Sequence, residues 1–153
     1  MSERYVIEVY GSSEYDSDFN LYNYLYVVLN QKTVNAYNIV KGDLVVCKVM
    51  RVFEHKTVYK SGIRNNTYAL VSRVNKDFDF DVFSYTNMVG GKMYGLKISQ
   101  SFIESVGVRE GDYIDFNLLL LKQKNRTTSI YPESERFGYK PYDFNDSDYE
   151  ELK

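Results

Sequence analysis

The sequence predicts a mainly β domain with two short helices, organised as two β-α-β repeats, and three observations carry that prediction. A 21-residue pattern occurs twice, 69 positions apart, at Leu29 to Val49 and Ile98 to Leu118. Only Gln31/Gln100, Gly42/Gly111 and Asp43/Asp112 are identical, yet the apolar positions coincide without a gap at Leu29/Ile98, Val34/Ile103, Tyr37/Val106, Ile39/Val108, Val45/Ile114, Cys47/Phe116 and Val49/Leu118. An internal repeat constrains architecture before any local signal does. Composition agrees: 16 Tyr, no Trp and only Ala36 and Ala69 favour strand over helix. Strict alternation at Asp77-Phe78-Asp79-Phe80-Asp81-Val82 is the period of a half-buried strand.

Each repeat is justified element by element. A strand ends at Leu29 or Ile98, and Asn30 or Ser99 is placed to cap a helix of about two turns. In the second copy Ser101 and Glu104 also fit a capping box, which would start that helix two residues later. The helices stop at Asn38 and Gly107, the two residue types that most readily take the left-handed C-terminal conformation. Lys41-Gly42-Asp43 and Glu110-Gly111-Asp112 then form a turn, with Gly at positive φ and Asp bonding nearby backbone. Alternating apolar residues follow, so the repeat units run from about 25 to 53 and from about 94 to 122.

The second copy, Lys97-Ile98-Ser99-Gln100 through Val106-Gly107-Val108-Arg109-Glu110-Gly111-Asp112-Tyr113-Ile114, resembles the strand, helix and "GD box" of the cradle-loop barrels. That superfamily includes the AbrB-like swapped-hairpin DNA-binding regulators and the double-psi β-barrels. The chain departs from its pattern at Ser99, where the family usually has Pro, and at Gln100, where it has a basic residue. The resemblance implies a pseudo-twofold β-barrel of double-psi or intrachain swapped-hairpin type. It also implies that a barrel-completing dimer is unnecessary, because both halves lie in one chain.

At 153 residues the chain is long enough for one domain with a substantial core. We assign 1–131 to that domain and 132–153 to an acidic tail, expected to be flexible. No run approaches a membrane span, and Met1-Ser2-Glu3-Arg4 leads into a strand-like segment, so the expected location is cytoplasmic, in a host cell if the chain is viral. Abundant Tyr and Asn with scarce Ala suit an AT-rich genome such as that of a virus or mobile element. Cys47 is the single cysteine and reads as a packed strand residue.

Charge is segregated behind a net −2. Residues 1–18 and 132–153 each carry −4, and Lys48 to Lys76 carries +6, with Lys48, Arg51, Lys56, Lys60, Arg64, Arg73 and Lys76 against Glu54 alone. A basic segment in an acidic protein points to a polyanionic partner. Within it Gly62 and Asn65-Asn66 supply turn chemistry, which predicts a hairpin or arm. Together with Tyr59 these cations are the candidate nucleic-acid contacts; the competing reading is a solvated hairpin whose lysines guard a sheet edge.

Catalytic signals are sparse. Glu54-His55-Lys56 with Asp43 upstream fits the E-x-K of metal-dependent nucleases, but the same form recurs at Glu151-Leu152-Lys153. Asp77, Asp79 and Asp81 form an acidic row that reads as the wet side of a strand or a site for a hard cation. Val89-Gly90-Gly91-Lys92 is hairpin-turn chemistry and too short for a phosphate-binding loop. No cofactor is expected. The favoured function is non-enzymatic nucleic-acid binding, most simply to duplex DNA as a transcriptional regulator. The alternative is a protein-binding adaptor or inhibitor, as the double-psi branch implies, using tyrosine-rich and acidic surfaces; Tyr139, Tyr142, Phe144 and Tyr149 of the tail are candidates to dock on the barrel.

Overall fold

The computed structural model describes residues 3–130 and 149–151. The elements are β1 (Glu3–Glu8), β2 (Tyr10–Tyr15), β3 (Leu21–Val28), α1 (Gln31–Tyr37), β4 (Leu44–Lys60), β5 (Ile63–Thr86), β6 (Lys92–Lys97), α2 (Gln100–Val106), β7 (Tyr113–Gln123), β8 (Arg126–Ser129) and β9 (Tyr149–Glu151). The protein is mainly β with two short helices. Its sheet runs β1-β7-β4-β5-β6-β3-β2, with β8 on β7 and β9 on β5. Every ladder is antiparallel except β5 with β9. The expected tail, 132–153, lies outside the described residues apart from β9.

The repeat is visible in the pairing register. Equivalent strands pair with each other, β3 with β6 and β4 with β7. Val27 opposes Leu96 and Lys48 opposes Asn117, and each of these partners is its own equivalent under the 69-residue offset. Every other rung maps onto another rung, so Tyr26↔Lys97 becomes Val28↔Gly95, and Leu44↔Lys122 becomes Phe53↔Tyr113. The irregularities map too: Met50 and Leu119, both skipped by the ladder, are equivalent. This is the pattern that a local twofold axis through Val27/Leu96 and Lys48/Asn117 produces.

The duplication also reaches further than the sequence shows. Gly42 N–H donates to Val82 C=O at 3.0 Å and Val82 N–H to Asp43 C=O at 2.9 Å; Gly111 and Asp112 make the same two bonds with Val9, both at 2.8 Å. Val9 and Val82 are therefore equivalent, at an offset of 73, and the rungs Glu3↔Leu118 and Lys76↔Val49 correspond. The offset falls to 69 because, from the equivalent rungs Tyr10↔Tyr26 and Phe83↔Gly95 to the turn, β2–β3 has six rungs and β5–β6 has four. Both hairpins then close with the same five-residue turn. Asp16 Oδ1 accepts from the backbone of Asp18 and Asn20, and Asn87 Oδ1 accepts from Val89 and Gly91. The fourth turn residue has positive φ in each, 60° at Phe19 and 86° at Gly90. The turn thus spans Asn87 to Gly91, two residues ahead of the sequence expectation.

Local chemistry explains the helices. Asn30 Oδ1 accepts from Lys32 N–H, and Ser99 Oγ accepts from Phe102 N–H, so α2 starts at Gln100 and the later capping box at Ser101 is not used. Asn38 (φ 51°) and Gly107 (φ 78°) end the helices in the left-handed conformation. The core between sheet and helices is fully buried at Val45, Cys47, Phe80, Leu96, Phe102, Phe116 and Leu121. One contact differs between halves: Tyr5 hydroxyl lies 3.3 Å from Thr33 Oγ1, whereas the equivalent Phe78 and Phe102 meet edge to face at 4.8 Å.

Three substitutions test this backbone. Gly107→Ala meets nothing within 4 Å of its new Cβ, so only the positive φ opposes it, and the urea midpoint should report a loss of about 1 kcal/mol. Asn38→Gly should be neutral or stabilising, and Phe19→Gly should gain roughly 1 kcal/mol by relieving an exposed left-handed residue.

Candidate nucleic-acid interface

The basic segment forms a two-stranded ribbon. Pairing of β4 with β7 stops at Phe53↔Tyr113, but β4 and β5 continue together through Lys60↔Ile63. Seven residues per strand beyond that point extend about 23 Å at the strand rise. Ser61 (φ 53°) and Gly62 (φ 77°) make a two-residue turn with positive φ at both positions, which matches the twist of the flanking strands. Asn65 and Asn66 lie within β5 and are not part of the turn; Asn66 Oδ1 is 3.3 Å from His55 Nε2 and 3.4 Å from Thr57 Oγ1.

The register distributes the candidate contacts over two faces. Lys56 and Lys60 share one face with Val58, Ile63, Asn65 and Thr67. Tyr59 and Arg64 oppose each other on the second face, with Thr57 and Asn66. Lys56, Tyr59, Lys60 and Arg64 are all exposed, and Lys56 Nζ is 3.8 Å from Glu54 Oε1. At the ribbon's root the second face becomes aromatic: His55 stacks on Tyr68 at 5.0 Å, and Tyr68 meets Tyr113 edge to face.

The remaining candidates lie elsewhere. Lys48 is on the twofold axis between Asp77 and Asn117, Lys76 is exposed opposite Val49, and Arg73 is exposed opposite Arg51. Arg51 itself is drawn inward: its Nε donates to Asp115 Oδ2 at 2.9 Å, and its guanidinium lies 5.0 Å from the Phe53 ring centre. Arg4 grips the same buried carboxylate with two bonds of 2.8 and 3.0 Å. Arg51 is thus part of the protein's own framework, and its charge in the sequence overstates the basicity that the surface presents.

The residues of the E-x-K pattern separate. Asp43 Oδ2 accepts from Val40 N–H and from Gln123 Nε2, each at 2.9 Å. Glu54 instead shares a cavity of about 200 Å³ with Asp112, Arg109, Val71 and Gly107. Gln123 and Glu54 are equivalents under the 69-residue offset, so a donor faces the turn carboxylate in one half and a second carboxylate faces it in the other. Burial pushes the Asp112 carboxyl above its usual range; Glu54 adds to the rise, and the Arg109 backbone N–H opposes it. Asp77, Asp79 and Asp81 are exposed along β5, and among the described residues no three His, Cys, Asp or Glu are grouped to hold a metal. Cys47 is fully buried, and burial pushes its thiol well up, away from thiolate chemistry.

An aromatic surface whose residues are dispersed in the sequence is assembled across β2, β3 and β5. Tyr22, Tyr24 and Tyr26 alternate along β3, with Tyr10 on β2 and Phe83 and Tyr85 on β5, across the intervening β6, at centroid distances of 5.2 to 6.2 Å. Lys97 Nζ sits 4.5 Å from the Tyr24 centroid and 2.5 Å from Glu14 Oε1, and the Tyr22 hydroxyl bonds the same carboxylate oxygen. The signal was available in the Leu21-Tyr22-Asn23-Tyr24-Leu25-Tyr26 alternation; its strand partners were not. Comparison with protein-family models, curated proteins and solved structures finds no match for the chain.

Asp115→Ala should cost about 3 kcal/mol or more in chemical denaturation, because it leaves the mostly buried Arg51 guanidinium without its carboxylate. Glu54→Gln should stabilise by about 1 kcal/mol if it reproduces the Gln123 bond to Asp43. The native Asp112 holds its proton more tightly than the unfolded chain does, so wild-type stability falls as pH rises from the unfolded pKa through the raised folded one. Glu54→Gln removes one cause of the rise, and its loss of stability across that window should be smaller when denaturation is measured at a series of pH values.

Proposed function

We propose that the protein binds nucleic acid, most simply duplex DNA as a non-enzymatic regulator, and that the β4–β5 ribbon is the element that enters the groove. The supporting observation is the ribbon's shape and chemistry together. A two-stranded ribbon fits the roughly 12 Å wide major groove, and this one carries exposed Lys56, Lys60, Arg64 and Tyr59 beyond the sheet. Thr57, Asn65, Asn66 and Thr67 are suited to phosphate and base-edge hydrogen bonds. Lys48, Arg73 and Lys76 supply longer-range attraction, and Arg51 a framework role.

The frame fits the same reading. β1 and β2, the two ends of the strand path, are consecutive in the chain with only Val9 between them. Antiparallel hairpins around a local twofold favour the swapped-hairpin form of a cradle-loop barrel, completed within one chain, and a folded monomer follows from it. The adaptor reading draws on a different fact, the exposure of Val58 and Ile63 beside the ribbon turn.

Gel-shift titration decides between them. DNA affinity should fall with salt at a log-log slope of about 0.9 per phosphate neutralised. Lys56, Lys60 and Arg64 all changed to Glu should abolish binding while the circular dichroism and melting temperature stay unchanged. Deleting 132–153 should strengthen binding by removing a net −4, part of it carried by β9 at the ribbon's root. No complex with DNA or RNA at low salt and tens of micromolar protein, about the non-specific range, would overturn the proposal in favour of the adaptor.

A further inference from the structure

The tyrosine face holds one cation from the chain itself and has a second position of similar composition without one. Lys97 lies over Tyr24 and 5.5 Å from the Phe83 ring centre, anchored by Glu14. Under the repeat, Phe83 corresponds to Tyr10 and Lys97 to Val28. Tyr10 and Val28 line a cavity of about 360 Å³, together with Glu8, Asn30 and Tyr113. Tyr26 lies 5.7 Å from Tyr10 and 5.7 Å from Tyr85, extending the aromatic wall. Among the described residues no Lys or Arg stacks on Tyr10, Tyr26 or Tyr85, and valine stands where the other half has its lysine.

We propose that this cavity receives a lysine or arginine side chain from a basic segment of a partner protein, with the cation on the Tyr10–Tyr26–Tyr85 wall beside Glu8. Charge complementarity selects that occupant. Glu8 is the one charged residue lining the cavity, so the pocket favours a cation over an anion. Desolvated aromatic rings bind ammonium and guanidinium groups. Burial pushes the Tyr10, Tyr26 and Tyr85 phenols up, and at Tyr10 the neighbouring Glu8, which its hydroxyl bonds, adds to the rise. The peptide backbone also has a partner: Asn30 lines the same cavity, and its Nδ2 is buried without a hydrogen-bond partner among the described residues. A donor in that state is satisfied by a carbonyl of the incoming segment. The equivalent place in the other half is closed, because Gly95 replaces Tyr26 and the Phe83 ring fills the space, with a Cβ at Gly95 meeting Phe83 Cε1 at 2.7 Å.

The site is independent of what the ribbon binds, and its test is separate. The 15N-labelled full chain is titrated with a nine-residue Gly/Ser peptide carrying one central arginine, and with the same peptide carrying neutral citrulline. The arginine peptide should shift resonances of Glu8, Tyr10, Tyr26, Asn30 and Tyr85, and the citrulline peptide should bind at least about fivefold more weakly. Glu8→Gln and Tyr85→Leu, each checked for an undisturbed spectrum elsewhere, should weaken the arginine peptide about three- to tenfold. The Lys56, Lys60, Arg64 to Glu variant should bind it as the wild type does, whatever that variant does to DNA. Equal binding of the two peptides, shifts confined to the Asp77–Asp81 row, or unchanged affinity in both variants would overturn the proposal. So would an oligothymidylate that shifts the same five residues when the arginine peptide does not.

Discussion

Two reciprocal backbone clasps hold the halves of this protein in register. In each, a Gly-Asp turn after a short helix offers its amide and carbonyl to one valine of the other half: Gly42 and Asp43 to Val82, Gly111 and Asp112 to Val9. The turn needs Gly because φ is 95° and 92° at the two positions. It needs Asp because the carboxylate bonds the amide three residues back, Val40 or Arg109, at 2.9 Å. The only other identity in the repeat, Gln31/Gln100, also repeats its contact, a helical bond to the residue four further on, at 2.9 and 3.4 Å. The three identities thus mark backbone and side-chain bonds that both copies make, and the other positions of the repeat have diverged.

That division explains what could be read from the sequence. The helices and turns were legible, because caps and turns depend on residue chemistry at fixed short spacing: Asn38 and Gly107 differ in identity and share a conformation. The strands before them were not. The offset changes from 73 to 69 inside a hairpin, and Tyr5/Thr33 has become Phe78/Phe102, so neither spacing nor polarity marks the equivalence. For the candidate site, the ribbon itself was legible from its cations and glycine. Its division into two faces was not, because the bulges beyond Val49 and Val52 reset the alternation, and the burial of Arg51 depends on Asp115, 64 residues away.

The symmetric frame makes its asymmetries informative. β4 continues past the sheet as the ribbon, whereas its equivalent β7 turns back at Gln123 into the short β8. Lys97 stands on the aromatic face where the first half has Val28, and Glu54 faces Asp112 where Gln123 bonds Asp43. None of these differences serves the clasps or the axial pairs, which the two halves build alike. They lie at the ribbon, the tyrosine wall and one helix-end cavity, and these are the places where the surfaces of the two halves offer different chemistry.

One strand also carries both signs of charge. The first part of β5 forms the ribbon with Arg64, and its later part carries Asp77, Asp79 and Asp81. Thirteen residues separate Arg64 from Asp77, about 40 Å at the strand rise and several Debye lengths at physiological salt. The fields of the two regions are therefore screened from each other. Under the proposed function, a polyanion held by the ribbon would meet like charge where the acidic row begins, so its contact would end before Asp77 and the tyrosine wall beyond would stay open to a basic partner.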